Sequence, residues 1–255
     1  MSTITIEHII YAPVPYKGYS FRAKSKGANI DSFKNAFKDW LIPFDQSIIH
    51  DSFLEKVLVV GKTRLYFARI FQAHGLDELK RSGVVSHIAE IPTDLLFQKK
   101  IIIKLVDSSM ADFTEKNGVP LGEVDSLKIL SNFENDMELN MVRERVPEAT
   151  THKILELASS DRFKIFVIYR GPERDILSYG LARVILPIAS RGFIVASENI
   201  KRDILLLHEG VLIMGRHLPP WARIKGWSII NLEKETGSAG KTDKSIKEII
   251  RQIYG

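Results

Sequence analysis

Apolar and polar positions alternate with period two through Thr3–Tyr11, where Ile4 and Ile6 share a face, and again through Tyr19–Ala23, where Tyr19, Phe21 and Ala23 do. That spacing predicts two strands. Pro13, Pro15 and Gly18 lie between them and force a tight connection. Asp31 can then cap a short helix in which Phe33, Phe37 and Trp40 or Leu41 recur at helical spacing, and Pro43 stops it. Val57–Val60 and Leu65–Phe71 predict a hairpin around Gly61-Lys62-Thr63. The polar, glycine-bounded segment His74–Gly83 reads as a loop or one helical turn, and Val84–Ile91 as a strand closed by Pro92. Thr93 or Asp94 caps a short helix, the β-branched run Ile101–Val106 predicts a buried strand, and Asp107–Lys116 a helix.

Periodicity is weakest over Glu123–Pro147, apart from the apolar stretch Leu127-Lys128-Ile129-Leu130. Beyond it the rhythm strengthens. Glu148–Ser159 and Glu173–Ile185 predict helices on either side of an apolar strand, Phe163–Tyr169. Phe193–Ala196, Leu205–Leu207, Val211–Met214 and Trp227–Asn231 predict further strands, and Ser245–Tyr254 a final amphipathic helix. Pro187 falls where the second helix pattern ends, so it should mark the exit of that helix. The expected fold class is α/β, with α+β as the alternative. It has a β-rich N-terminal half over 1–122 and a mixed sheet with helices on both faces over 148–255. A soft boundary lies at 123–147, and one continuous domain stays open.

Composition narrows the chemistry. The 255 residues are 45% hydrophobic and 26% charged, which suits a folded core and excludes a disordered chain. With no cysteine, a disulfide scaffold, a thiol nucleophile and thiolate zinc sites are all ruled out. Few thermolabile residues and many charges give a thermophile-like composition. No run of about 18 apolar residues occurs, and MSTITIEHII has no basic segment ahead of an apolar one, so a cytoplasmic protein without a membrane span is expected.

Charge is uneven. Lys17, Arg22, Lys24, Lys26, Lys34 and Lys38 face a single acid, Asp31, whereas Glu123, Asp125, Glu134, Asp136 and Glu138 face only Lys128. Tyr19 among Lys17, Arg22, Lys24 and Lys26 has the makings of a nucleic-acid surface, with rings to stack on bases and cations for phosphates. An amphipathic strand over a core accounts for the same pattern.

Gly237-Ser238-Ala239-Gly240-Lys241-Thr242 approaches a phosphate-binding loop, but Glu235 stands where that motif needs glycine, so the segment reads as a linker. The seven histidines show neither H-x-H nor H-x-x-x-H. His87 and Glu90 would point to opposite faces of a strand, and His87 reads as a half-buried, satisfied imidazole. No G-x-S-x-G elbow occurs, and no cofactor or metal is implied.

Several short segments, in order, resemble the N-terminal domains of GTPase-associated proteins in prokaryotic conflict systems. They are Tyr11-Ala12-Pro13 leading into Gly18–Gly27, then Phe67–Phe71, Arg81–His87 through Pro92, and Ile185–Phe193. The resemblance implies an adaptor or regulator working beside a small GTPase or other NTPase, and it carries over no catalytic residue.

Three functions follow as expectations. The first is a non-catalytic protein-binding module using Asp77, Lys80 and Arg81 of an exposed loop together with Arg191. The second is a nucleic-acid-binding protein using Lys17, Tyr19, Arg22, Lys24 and Lys26. The third is an enzyme of unrecognised type with loop groups such as Asp77, Arg81, Arg170 and Glu173. The balance leans away from an enzyme, and the sequence leaves oligomeric state open.

Overall fold

The computed structural model describes residues 3–37, 54–76, 83–97, 103–130, 136–160, 162–197, 210–224, 226–234 and 244–255. The fold class is α/β, as expected. The chain divides into two compact units, one of residues 1–59 and 63–132, the other of 60–62 and 133–255.

The first unit contains β1 (Thr3–Val14), β2 (Gly18–Ser25), α1 (Ile30–Phe37), β3 (Leu54–Val60), β4 (Arg64–Ala73), β5 (Gly83–Pro92), α2 (Thr93–Phe97), α3 (Ile103–Asn117), β6 (Gly122–Val124) and β7 (Leu127–Leu130). Its strands run in the order β3-β4-β5-β1-β2-β6, and β7 pairs with the first residues of β1. β1 is antiparallel to β2, β5 and β7, whereas β6 is parallel to β2, so the sheet is mixed. β5 is buried at every position from Gly83 to Ala89, as a strand covered on both faces is.

Three local expectations change here. Asn29, not Asp31, caps α1, its side chain accepting from the N–H groups of Asp31 and Ser32. The segment expected as a strand from Ile101 to Val106 is helical from Ile103, with Ile103, Val106 and Met110 buried at helical spacing. Thirdly, β2 carries an extra residue. Ile10 pairs with Ala23 and Tyr11 with Phe21, leaving Arg22 as a bulge. Ala23 therefore joins Ile10, Ala12, Leu76 and Val85 in the core, while Tyr19 and Phe21 lie on the opposite face against Tyr11.

The second unit contains α4 (Met137–Arg145), α5 (Glu148–Ala158), β8 (Phe163–Ile168), α6 (Arg174–Ile185), β9 (Phe193–Ser197), β10 (Gly210–Gly215), α7 (Pro220–Ile224), β11 (Ser228–Asn231) and α8 (Lys244–Tyr254). Its four described strands are all parallel, in the order β11-β8-β10-β9. β10 is buried throughout, and Phe166 of β8 is wholly inaccessible. α6 ends at Ile185 with Leu186 as its cap, so Pro187 does mark the exit.

α4 falls in the stretch of weakest periodicity and was not expected as a helix. Its contact with α6 depends on Gly180, where a Cβ would collide with the carbonyl oxygen of Glu138. Across the same contact Arg183 is held by Asp136 (2.6 Å) and by the fully buried Glu138 (3.1 Å).

Trp40, Leu41, Pro43, Ile101, the Leu205–Leu207 run and the segment Gly237–Thr242 lie outside the described residues. No described helix is long and apolar enough to cross a membrane.

Candidate functional site

The first unit holds an open cavity of about 770 Å³, within the roughly 300–1,000 Å³ of ligand-sized clefts. One wall is a stripe of α3. Ser109, Asp112, Phe113, Lys116 and Asn117 recur at i, i+3, i+4, i+7 and i+8, so they share a helix face, while Val106 and Met110 are buried on another. Gly118, at φ +65°, ends the helix as only glycine does readily. Glu123, Val124, Asp125, Ser126, Leu127 and Lys128 then return along the facing wall, and Lys26 closes the third side.

The facing wall is pinned from behind by β1. The Glu7 carboxylate accepts from the Ser126 hydroxyl (3.0 Å), the Ser25 hydroxyl (2.5 Å) and the Gly27 N–H (3.1 Å). Next to it, Nε2 of His8 lies 2.8 Å from the carbonyl oxygen of Asp125. A carbonyl only accepts, so that nitrogen carries the proton and Nδ1 of His8 is the acceptor. His87 Nε2, 2.8 Å away, donates to it. His87 Nδ1 then faces the Thr114 hydroxyl at 3.2 Å.

Both imidazoles are inaccessible to solvent and pack against the Phe113 ring that lines the cavity. Burial pushes the His87 pKa well below its usual value, and the neighbouring His8 and Arg69 push it further down. Burial lowers that of His8 too, against an opposing pull from the Asp125 carbonyl and Glu7. At neutral pH the pair is therefore uncharged. It ties β1, β5 and α3 to the cavity wall, and it stands behind that wall rather than within it.

Among the expected site residues, Lys26 lines this cavity. Lys17 is exposed in the β1–β2 turn, and Lys24 is half-buried. Tyr19 is half-buried, its hydroxyl accepting from the Val84 N–H at 2.9 Å. Arg22 donates to the carbonyls of Val119 (3.1 Å), Pro13 (2.6 Å) and Leu76 (2.9 Å), so its guanidinium is committed to holding the bulge. Arg191 is exposed between α6 and β9. Asp77, Lys80 and Arg81 lie outside the described residues.

His87 is fully buried rather than half-buried, because α3 covers the face of β5 on which it stands. Four of the five α3 stripe residues, Ser109, Asp112, Phe113 and Lys116, fall inside the helix expected over Asp107–Lys116, and Asn117 follows it directly. The facing wall joins the acidic block at Glu123 and Asp125 to the start of the apolar stretch Leu127–Leu130. Among the described residues no group of three or more His, Asp or Glu is placed to hold a metal ion. No protein-family model matches the chain, and no curated protein matches it either.

Proposed function

We infer that the chain is a non-catalytic protein-binding module, an adaptor or regulator acting with a small GTPase or another NTPase, and that the partner docks at the cavity of the first unit. The observation that carries this reading is the balance of charge in the lining. Lys26, Lys116 and Lys128 are interspersed with Asp112, Glu123 and Asp125. A surface with equal numbers of both signs complements a mixed-charge protein surface, because each partner charge meets its opposite. A phosphate backbone would meet as many carboxylates as ammoniums and gain little. The order of segments resembling GTPase-associated domains supports the class of partner.

One observation favours the nucleic-acid reading. The bulge at Arg22 places Lys24 opposite Ile9, on the same face as the Tyr11, Tyr19 and Phe21 rings. A cation beside half-buried aromatics is the arrangement that stacks bases.

Salt separates the two. The protein partner is captured on the immobilised chain, identified, and titrated against it, with its nucleotide hydrolysis followed in parallel. Between about 50 and 200 mM salt, binding to such a partner should weaken less than about tenfold, whereas phosphate-dominated binding falls by roughly 10³–10⁵. Altered hydrolysis on binding supports the regulator reading. A steep salt slope with an oligonucleotide as the tighter ligand overturns it.

A further inference from the structure

The walls of the cavity are fastened at few points. The N-terminal half of α3 is anchored by the buried Asp107, which engages Lys56 (2.9 Å), Arg69 and Lys104 (3.5 Å). Its C-terminal half rests on the two buried histidines. The Phe113 ring packs on both (4.8 and 5.5 Å between centroids), and the Thr114 hydroxyl faces His87. The facing wall is laddered to β2 through β6 and to β1 through β7, and between these ladders His8 holds the Asp125 carbonyl. One pair of rings therefore bears on both walls.

This row of hydrogen bonds has room for one added proton and no more. In the neutral pair His8 Nε2–H donates to Asp125 and His87 Nε2–H to His8 Nδ1. A proton added at His87 Nδ1 donates to the Thr114 hydroxyl (3.2 Å), which itself donates to the Met110 carbonyl (2.9 Å), so every group keeps a partner. A second would lie on His8 Nδ1 and set N–H against N–H across 2.8 Å, between rings with no access to water.

Among the described residues, charge reaches the pair from two sides. Glu7 of β1, its carboxylate held by Ser25, Ser126 and Gly27, favours a proton on His8. Arg69 of β4, opposite His87 in the ladder and bonded to Asp107, disfavours one on His87. The other neighbours are uncharged: Phe113 and Thr114 from α3, the Asp125 carbonyl, and from β2 the Ser25 hydroxyl, which accepts from the His8 N–H (2.9 Å).

We propose that His8 and His87 form a proton-operated latch on the cavity. Neutral, the pair holds the C-terminal half of α3 and the turn at Asp125 in place. Once both rings take a proton, these two segments come away and a docked partner is released, while the half of α3 anchored by Asp107 stays. The release of a partner rests on the cavity being its docking site; the latch itself does not. The latch is closed above the usual histidine range and opens as pH falls through it, because the open form takes up protons that the closed form refuses.

The test is amide hydrogen exchange of the full chain at about pH 7.5 and about pH 5.5, corrected for the intrinsic chemical rate. Nitrogen-15 NMR of the imidazoles is the second readout. Exchange over 113–117 and 123–126 should speed up by about a hundredfold, roughly tenfold for each ring that titrates near 6.5 only in the open form. Residues 103–110 and strand β4 should stay at least about tenfold behind. His87→Gln keeps a donor for His8 but takes no proton, so it should cut the gain to about tenfold. At the higher pH both imidazoles should appear as Nε2–H tautomers. The proposal fails if the two segments gain less than about tenfold, if the whole unit speeds up equally, if His87→Gln keeps the wild-type gain, or if either neutral ring carries its proton on Nδ1. It fails too if the segments open in acid while the affinity of the captured partner stays constant. Exchange and NMR need no partner, so a failed latch and a failed docking reading are told apart.

Discussion

A neutral, buried imidazole costs stability once the unfolded chain can be protonated. His87 has its pKa pushed well below 6.5 by burial, by His8 and by Arg69, and His8 is lowered mainly by burial. Below pH 6.5 the unfolded chain binds protons that the folded one refuses, so stability is complete above that value and falls as pH drops through it. Each of the two histidines adds a slope approaching about 1.4 kcal/mol per pH unit. The urea midpoint should therefore be flat above neutrality and decline steadily between about pH 6.5 and 5. His87→Gln should flatten that decline, and a wild-type midpoint unchanged over the range would contradict the pairing. Sequence spacing sets His87 and Glu90 on opposite faces of a strand, and both do lie on β5, three residues apart. It could not find His8 as the partner, because the contact joins residues 79 positions apart.

At the scale of elements, the strongest signals were those in which apolar side chains alone decide the packing. α8 buries Ile246, Ile250 and Ile253 and exposes Lys247 and Glu248, a stripe visible in the sequence. Its end is fixed by Tyr254, whose hydroxyl donates to the Val146 carbonyl (2.6 Å) and lies 2.6 Å from that of Thr151, while Arg143 reaches the Ile253 carbonyl. Ile250→Ala should cost about 2–4 kcal/mol in chemical unfolding, and Tyr254→Phe about 1–2 kcal/mol. Glu248→Ala, on the exposed face, should stay within about 0.5 kcal/mol. Equal effects at Ile250 and Glu248 would mean that α8 does not dock by this stripe.

The elements that escaped the pattern did so for identifiable reasons. α4 contributes a buried Glu138, answered by Arg183 on another helix, where periodicity looks for an apolar residue. α3 begins in a β-branched run whose composition favours a strand. The bulge in β2 shifts every later side chain to the other face, and alternation counted along one strand cannot register an extra residue.

At the scale of the whole molecule, one chain carries a mixed, mainly antiparallel unit, which holds the cavity, and a unit whose described strands are all parallel. The α/β class was legible because the strand and helix periods are distinct over most of the chain. The cavity was not, since Lys26 lies far in sequence from the walls Ser109–Asn117 and Glu123–Lys128, and only pairing of β2 with β6 brings it to them.

The central claim is that the balanced charges of this cavity recognise a protein. Reciprocal charge reversal tests it most directly. One variant combines Lys26→Glu, Lys116→Glu and Lys128→Glu, and the other Asp112→Lys, Glu123→Lys and Asp125→Lys. Asp125 meets His8 through its backbone carbonyl, so its side chain can change without breaking that contact. Affinity for the captured partner and for a single-stranded oligonucleotide is measured for both variants, with melting temperature as the control for folding. The account predicts that each reversal weakens the partner by at least about tenfold while melting temperature holds. Partner affinity untouched by either reversal, together with an oligonucleotide that binds tighter to the lysine-enriched variant and is lost from the other, would contradict it.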